Sequence, residues 1–327
     1  MERIHGGDVY SDANAGAVDF SANINPLGLP SSVKQALVTA AENCGHYPDP
    51  LCRGLRAAIG KYEGFPAERI FCAAGAAEIL YRIAWAFRPR RALVMAPTFS
   101  EYRLAVESVG GEVCACPLCE ETGFAVGDGF IRRIDGSVDL VFFCNPNNPT
   151  GAVAGRGFVE KAARRCAQTG ALLAVDECFM DFVPDGEESC SAKPLLKNYG
   201  NILVLKAFTK IFAMPGVRLG YCLAGDRRAV AKLARSGPPW SVSVFAQAAG
   251  VAAAEQTRFV AETQRAVTAE RRFLKSELSR MGLKVYDAKA NFLLFRARGI
   301  FDLQQRLLRK GFIIRHCADF ESLDGSF

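Results

Sequence analysis

Lys210 is the residue of this sequence best placed for covalent chemistry. It follows the apolar run 202–206 and precedes a glycine-bounded turn, and Arg218 lies eight residues further on. A lysine amine forms a Schiff base when it is held near a carbonyl and kept from full solvation. Thr209 and Arg218 add a hydroxyl and a planar guanidinium suited to binding a phosphate. The alternative is a solvated basic turn at the end of a strand.

Two polar segments follow apolar runs earlier in the chain. Asn148 lies in Asn-Pro-Asn-Asn-Pro-Thr-Gly after the run 140–144, and Asp176 follows the run 171–175. Both are expected at strand carboxyl ends, where open α/β sheets bind ligands. With Lys210 they suggest a pyridoxal phosphate site, in which Asn148 would bond the ring hydroxyl and Asp176 would keep the pyridine nitrogen protonated. A stiff turn and a helix cap are the alternative interpretations.

The order of these motifs resembles the fold-type I pyridoxal phosphate enzymes, within the branch of histidinol-phosphate aminotransferases and threonine-phosphate decarboxylases. The resemblance extends over essentially the whole chain. The motifs that favour the decarboxylases are His5-Gly6-Gly7, residues 19–28, Pro239-Trp240-Ser241-Val242 and residues 290–294. The aminotransferases typically have an acidic Asn-Glu-Asn-Pro where this chain has residues 23–26, and a tyrosine at the position of Phe179.

The resemblance implies further contacts with the cofactor. Ala76 and Ala77 open an expected helix after the strand 70–73, so the cofactor phosphate could approach free backbone N–H groups. Phe99 would stack on the pyridine ring, although a core phenylalanine is the ordinary interpretation of such a residue. Tyr47 would reach across a homodimer interface to the cofactor phosphate, so the active site would need two chains.

The resemblance also implies the substrate, a small phosphorylated amino acid. Arg315 would bind its anionic end, with His5, Ser21 and Asn23 nearby, and an exposed arginine at a strand end is the alternative. The implied reaction is decarboxylation of L-threonine O-3-phosphate to (R)-1-amino-2-propanol O-2-phosphate in cobalamin biosynthesis. Lys210 would be catalytic, together with Asp176. A histidinol-phosphate aminotransferase and a non-catalytic truncated homologue are the alternatives.

Two features depart from the family pattern. Ala207 stands where the family usually has a serine, which removes one hydroxyl from the phosphate site. The sequence also stops at Phe327, just short of the position where relatives have a strand with an arginine for the substrate α-carboxylate. We therefore expect either a truncated chain or a carboxylate that other groups hold.

The apolar runs predict an α/β fold with a mostly parallel sheet. They are continuous rather than alternating, which is typical of strands covered by helices on both faces. With the resemblance, this gives a fold-type I transferase with a large domain and a smaller α/β domain. We expect an N-terminal arm over residues 1–30, a large cofactor-binding domain over 31–225 and a small domain over 226–327.

The small domain is expected to contain three further elements after a long helix. The helix is amphipathic over 256–281, and Gly282 would end it. A strand over 291–296, a helix over 302–310 and a strand over 312–315 follow.

Composition bears on location and partners. No apolar run among the 327 residues is long enough to cross a bilayer, and the first residues lack signal-peptide character, so a cytoplasmic enzyme is expected. The net charge is +6, but acidic residues are interleaved with the basic ones, and this pattern argues against nucleic-acid binding. Among the twelve cysteines, the compact group 114, 116 and 119 lacks a fourth ligand, so no metal site is expected.

Overall fold

A seven-stranded sheet lies at the centre of the molecule. The computed structural model describes residues 5–327, which contain this sheet and two sheets of two strands each. The strands are β1 (Val18–Asp19), β2 (Ile70–Ala73), β3 (Arg91–Ala96), β4 (Glu112–Pro117), β5 (Leu140–Cys144), β6 (Leu172–Asp176), β7 (Ile202–Ala207), β8 (Gly220–Ala224), β9 (Lys284–Val285), β10 (Phe295–Arg296) and β11 (Phe312–Ile313).

The central sheet has the strand order β2-β8-β7-β6-β5-β3-β4. Strand β8 runs antiparallel to β2 and β7, and all other neighbours are parallel. Every residue of β5, β7 and β8 is buried, as expected for strands that are covered on both faces. The predicted α/β fold with a mostly parallel sheet is therefore confirmed.

The strand positions follow the apolar runs closely. Strands β2 and β5 coincide with the segments predicted over 70–73 and 140–144. Strand β6 is displaced by one residue from 171–175, and β7 extends one residue past 206. Such small differences arise because a strand ends at the last residue that pairs with a neighbouring strand, and the apolar pattern does not show where this pairing stops.

Helices connect the strands and cover the sheet. They are α1 (Ser31–Ala40), α2 (Arg53–Glu63), α3 (Ala76–Phe87), α4 (Glu101–Glu107), α5 (Asp128–Arg132), α6 (Arg156–Thr169), α7 (Gly186–Ser189), α8 (Phe208–Ile211), α9 (Arg227–Arg235), α10 (Val244–Ala253), α11 (Thr257–Arg280) and α12 (Leu303–Leu308). The longest, α11, corresponds to the helix predicted over 256–281, and Gly282 follows it with φ of +84°. Across residues 5–327, no helix combines the length and the apolar character needed to span a membrane.

The last third of the chain is less regular than predicted. The strand expected over 291–296 is limited to β10, because its partner β9 pairs with only two residues. The strand expected over 312–315 is limited to β11, which pairs in parallel with β1 near the other end of the chain. This pairing joins the N-terminal segment to the C-terminal part. The proposed domain boundaries at residues 30 and 225 stay a prediction.

A buried ion-pair network ties β7 to α2. Lys206 Nζ lies 2.8 Å from Glu63 Oε1 and 2.9 Å from Asp181 Oδ1, and both Lys206 and Glu63 are 4% exposed. Lys193 Nζ lies 3.0 Å from Glu63 Oε2, and Tyr221 donates a hydrogen bond to the same carboxylate. Burial raises the pKa of Glu63, but the attraction of the two lysines outweighs it and lowers this pKa from 4.5 to about 2.

Replacing this carboxylate should destabilise the fold in a pH-dependent way. We expect Glu63→Gln to lower the free energy of unfolding at pH 7 by about 3 kcal/mol, because it leaves buried lysines without their countercharge. A carboxylate whose pKa is lowered on folding stabilises the fold above its ordinary pKa of 4.5, and this contribution is lost as the pH falls to about 2. Urea unfolding at several pH values should therefore show the two proteins converging below pH 4.5.

An exposed ion pair provides the matched control. Glu262 pairs with Arg258 on α11, and their side chains are 41% and 92% exposed. Glu262→Gln should change the free energy of unfolding by less than about 1 kcal/mol. Equal stability of Glu63→Gln and the wild type at pH 7 would show that the network does not stabilise the fold.

Candidate active site

A cavity of about 480 Å³ opens at the carboxyl ends of the parallel strands, and its volume is in the range of small-molecule sites. Every predicted site residue except Tyr47 lines it. These residues are His5, Ser21, Asn23, Ala76, Ala77, Phe99, Asn148, Asp176, Thr209, Lys210, Arg218 and Arg315. The fold thus brings together residues from both ends and the middle of the chain.

Strand register explains how the central residues meet. Asp176 is the last residue of β6, and it pairs with Cys144 on β5 and Leu205 on β7. Because the three strands are parallel, the segments that follow them leave the same edge of the sheet. Asn148 follows β5, and Lys210 lies in the short helix α8 that follows β7.

Lys210 lies in a largely desolvated position. Burial lowers the pKa of its amine; Cys178 counteracts this shift, and Arg218 adds to it. The Nζ atom lies 5.9 Å from the centre of the Phe179 ring. A lysine with a lowered pKa has more of the neutral, nucleophilic amine, which is the form that reacts with a carbonyl.

The N-terminus of α3 and Arg218 form a cradle suited to a phosphate. Gly75 has φ of +92°, and a Cβ atom on it would lie 2.6 Å from Nη2 of Arg218. A Cβ atom on Gly220 would lie 2.5 Å from the backbone nitrogen of Ala76. The absence of side chains at these two positions therefore lets the guanidinium of Arg218 lie against Gly75, and strand β8 lie against the start of α3, a twelve-residue helix. Both kinds of donor attract anions.

Tyr102, which the sequence analysis missed, holds the Asp176 carboxylate. Its hydroxyl donates to Oδ2 of Asp176 at 2.8 Å, and the backbone N–H of Cys178 donates to Oδ1 at 3.0 Å. Burial and then the Asp176 charge raise the pKa of Tyr102 well above its usual value, so the hydroxyl remains a donor. The signal in the sequence was its position three residues after Phe99, the residue predicted to stack on the pyridine ring.

Two asparagines of the segment Asn-Pro-Asn-Asn-Pro-Thr-Gly hold it in place, and the third faces the cavity. Asn145 exchanges hydrogen bonds with the backbone of Ala154, at 2.9 and 3.0 Å. Asn147 donates to Pro97 O and Thr150 Oγ1, each at 3.0 Å. Within residues 5–327, the side chain of Asn148 has no hydrogen-bond partner, and it lines the cavity. It is therefore available to a ligand.

The predicted substrate residues meet through the pairing of β1 with β11. Asp19 lies opposite Ile313 in a parallel register, so Ser21 and Arg315, each two residues further on, emerge together. The Ser21 hydroxyl donates to Asp19 Oδ1 at 2.6 Å and accepts from Gly7 N at 2.8 Å. This hydroxyl already holds the N-terminal segment, so a contact between its proton and a substrate would require rearrangement.

Arg315 also has partners of its own. Its guanidinium donates to His316 O at 2.6 Å and to Asp319 Oδ2 at 2.5 Å, and it lies 5.1 Å from the Phe320 ring centre. Its predicted role toward the substrate anion therefore involves a cation that is already partly neutralised. That role stays a prediction, as do those of the other substrate residues.

Tyr47 does not reach the cavity of its own chain. Its side chain is 80% exposed and stacks on Trp240, with ring centres 4.8 Å apart. An exposed aromatic ring held in this way is compatible with the predicted contact across a dimer interface. The contact itself stays a prediction.

The donor set fits pyridoxal phosphate. An amine of lowered pKa, a fixed carboxylate, a free amide and an anion cradle correspond to the aldehyde, ring nitrogen, ring hydroxyl and phosphate of this cofactor. Among the described residues, no group of three or more His, Cys, Asp or Glu side chains could hold a metal ion.

Removing the Tyr102 hydroxyl should weaken cofactor binding. We expect Tyr102→Phe to raise the apparent Kd for pyridoxal phosphate about tenfold, since it removes a hydrogen bond to a buried carboxylate. Absorbance titration of the apoprotein measures this constant independently of turnover. Tyr199→Phe, which removes a 3.2 Å contact to Glu160 outside the cavity, is the matched control. Equal affinities for the two variants would refute a role of Tyr102 in the site.

Comparison with known proteins agrees with this geometry. Residues 15–327 match the family Aminotransferase class I and II. The chain is 36% identical over 331 residues to the threonine-phosphate decarboxylase of Salmonella typhimurium, covering 99% of this chain and 90% of that protein.

Two solved structures have a similar fold. The histidinol-phosphate aminotransferase from Clostridium acetobutylicum has a TM-score of 0.87 and 30% identity, covering 94% of this chain and 91% of that chain. The L-threonine-O-3-phosphate decarboxylase from Porphyromonas gingivalis has a TM-score of 0.81 and 25% identity over the same shares. The chain therefore belongs to the aminotransferase class I and II family of pyridoxal phosphate-dependent enzymes.

Proposed function

We propose that this chain decarboxylates L-threonine O-3-phosphate, giving (R)-1-amino-2-propanol O-2-phosphate and CO2. The observation that carries the proposal is the second group of polar side chains in the cavity. His5 and Asn23 line the same space as Lys210 and come from the segment that distinguishes the decarboxylase pattern. The 36% identity to a threonine-phosphate decarboxylase over nearly the whole chain supports the same substrate.

Asp176 is proposed to set the electronic state of the site. Pyridoxal phosphate, when bound, supplies an electron sink for the electron pair left on the substrate Cα as CO2 departs. The carboxylate of Asp176 would hold a proton on the pyridine nitrogen and thereby strengthen that sink. Tyr102 and the N–H of Cys178 fix both carboxylate oxygens, so this charge is oriented before the substrate arrives.

Lys210 is proposed to anchor the cofactor and then move a proton. Loss of CO2 breaks the bond between Cα and the carboxylate, and a proton must replace the carboxyl group on Cα. The Lys210 amine, once released by the substrate amine, is the candidate donor of that proton. The bond at the substrate Cα that lies perpendicular to the pyridine ring plane is the one that breaks. The groups that orient the substrate therefore decide which reaction takes place.

Transamination of histidinol phosphate is the second candidate. Its support is the similarity to the aminotransferase from Clostridium acetobutylicum. Phe179 favours the decarboxylase, since it presents a ring without a hydroxyl next to Lys210. A transaminase would need 2-oxoglutarate as amino acceptor, whereas a decarboxylase would not.

A homodimer, a cytoplasmic location and a step in cobalamin biosynthesis belong to the same proposal. The exposed Tyr47 and Trp240 stack, with 80% and 46% of the two side chains accessible, supports a subunit interface here. The pathway follows from the proposed product, and the location is the one expected from the sequence.

The reaction itself is the first test. The purified chain with pyridoxal phosphate should convert L-threonine O-3-phosphate into aminopropanol phosphate without 2-oxoglutarate, and mass spectrometry identifies the product. Conversion of histidinol phosphate that depends on 2-oxoglutarate, with no release of CO2 from threonine phosphate, would establish the aminotransferase instead. Absence of both reactions in a chain that binds the cofactor would favour a non-catalytic homologue.

Covalent attachment of the cofactor should be specific to Lys210. Borohydride reduction of the loaded protein should add the cofactor mass to the peptide containing Lys210, and Lys210→Ala should remove both this label and the decarboxylation. Lys206, four residues earlier, is an internal control, because two carboxylates hold its buried ammonium. Labelling at Lys206 in the wild-type protein would contradict the assignment.

A further inference from the structure

Glu101 is a nearly buried carboxylate in the wall of the cavity that the proposed function leaves without a role. It is the first residue of α4, and its side chain is 7% exposed. The cavity is proposed to bind a phosphorylated, carboxylate-bearing substrate, and a bare negative charge here would repel it. The contacts of Glu101 therefore decide whether it opposes or assists binding.

Both oxygens of Glu101 have partners. The Tyr81 hydroxyl donates to Oε2 at 2.9 Å. The Nε2 atom of His5 lies 3.1 Å from Oε1, and the His5 ring lies 5.9 Å from the ring of Phe99, centre to centre. Tyr81 anchors one oxygen of the carboxylate, His5 contacts the other, and His5 and Glu101 both line the cavity.

The chemistry of this contact constrains the His5 ring. An ionised carboxylate only accepts hydrogen bonds, so Nε2 must carry a proton in the contact with Glu101. The other ring nitrogen, Nδ1, has no hydrogen-bond partner in the described part of the chain. In the neutral ring, Nδ1 would present a lone pair, which phosphate oxygens avoid. In the protonated ring it presents an N–H donor, and Glu101 provides the countercharge for that ring.

We infer that Glu101 is a positioning residue that makes His5 a cationic donor to the substrate phosphate. The inference rests on the proposed function and assigns the phosphate end of the substrate to the His5 side of the cavity. The Asn23 side chain lines the same cavity and has no hydrogen-bond partner within residues 5–327, so it supplies a second available donor. The Ser21 hydroxyl, in contrast, is engaged with Asp19.

The test is a double-mutant cycle on the loaded enzyme. Glu101→Gln keeps the shape of the side chain and removes its charge. It should raise the KM for L-threonine O-3-phosphate about tenfold and change kcat by less than about twofold, because the lost interaction is with a non-reacting end of the substrate. His5→Ala should have a similar effect, and the double variant should be no worse than His5→Ala alone.

Binding of inorganic phosphate to the holoenzyme provides a second measurement. Titration calorimetry should show a Kd about tenfold weaker for Glu101→Gln than for the wild type. Glu107→Gln is the matched control on the same helix, since Glu107 is 48% exposed and pairs with Arg103 outside the cavity. If Glu101→Gln does not fold, Glu101→Asp, which keeps the charge but shortens the reach, should weaken phosphate binding in the same way.

The phosphate titrations test the role of Glu101 independently of the proposed function. Failure of the wild-type protein to decarboxylate threonine phosphate would refute the function, and the phosphate titrations would still decide the role of Glu101. The inference is overturned if Glu101→Gln binds phosphate as tightly as Glu107→Gln. It is also overturned if Glu101→Gln lowers kcat without raising KM, or weakens binding equally when His5 is absent.

Discussion

The parallel alignment of β5, β6 and β7 is the constraint on which the site depends. Their register places Cys144, Asp176 and Leu205 side by side, so the segments that follow leave the sheet at one edge. Asn148, Asp176 and Lys210 meet there although they lie 28 and 34 positions apart in the sequence. A shift of one residue in any strand would turn its side chains to the opposite face.

A second, much smaller pairing completes the cavity. Strands β1 and β11 have two residues each, yet they join two distant parts of the chain, and Ser21 and Arg315, which follow them, both line the cavity. The large sheet thus organises the groups that face the cofactor, and this short ladder organises those proposed to face the substrate. Few hydrogen bonds hold the second set, so it should open more readily than the first.

The sequence predicted the large sheet, and all but one of the residues it suggested for the cofactor line a single cavity, because both depend on local patterns. Continuous apolar runs mark buried strands, and polar residues directly after them mark the ligand-binding edge. Tyr102 and Glu101 were missed because their roles come from contacts across the fold, with Asp176 and His5. Strand β10 was predicted too long for the same reason, since the short partner β9 sets its length.

The phosphate cradle has a consequence for how this sequence can change over time. Gly220 is without a side chain because the start of α3 leaves no room for one, and Gly75 is restricted both by Arg218 and by its positive φ. These positions are far apart in the chain, but both are constrained by the same phosphate site. A descendant that no longer bound a phosphate could let the start of α3 move away from β8, so a larger residue at position 220 would mark lineages that have abandoned the cofactor.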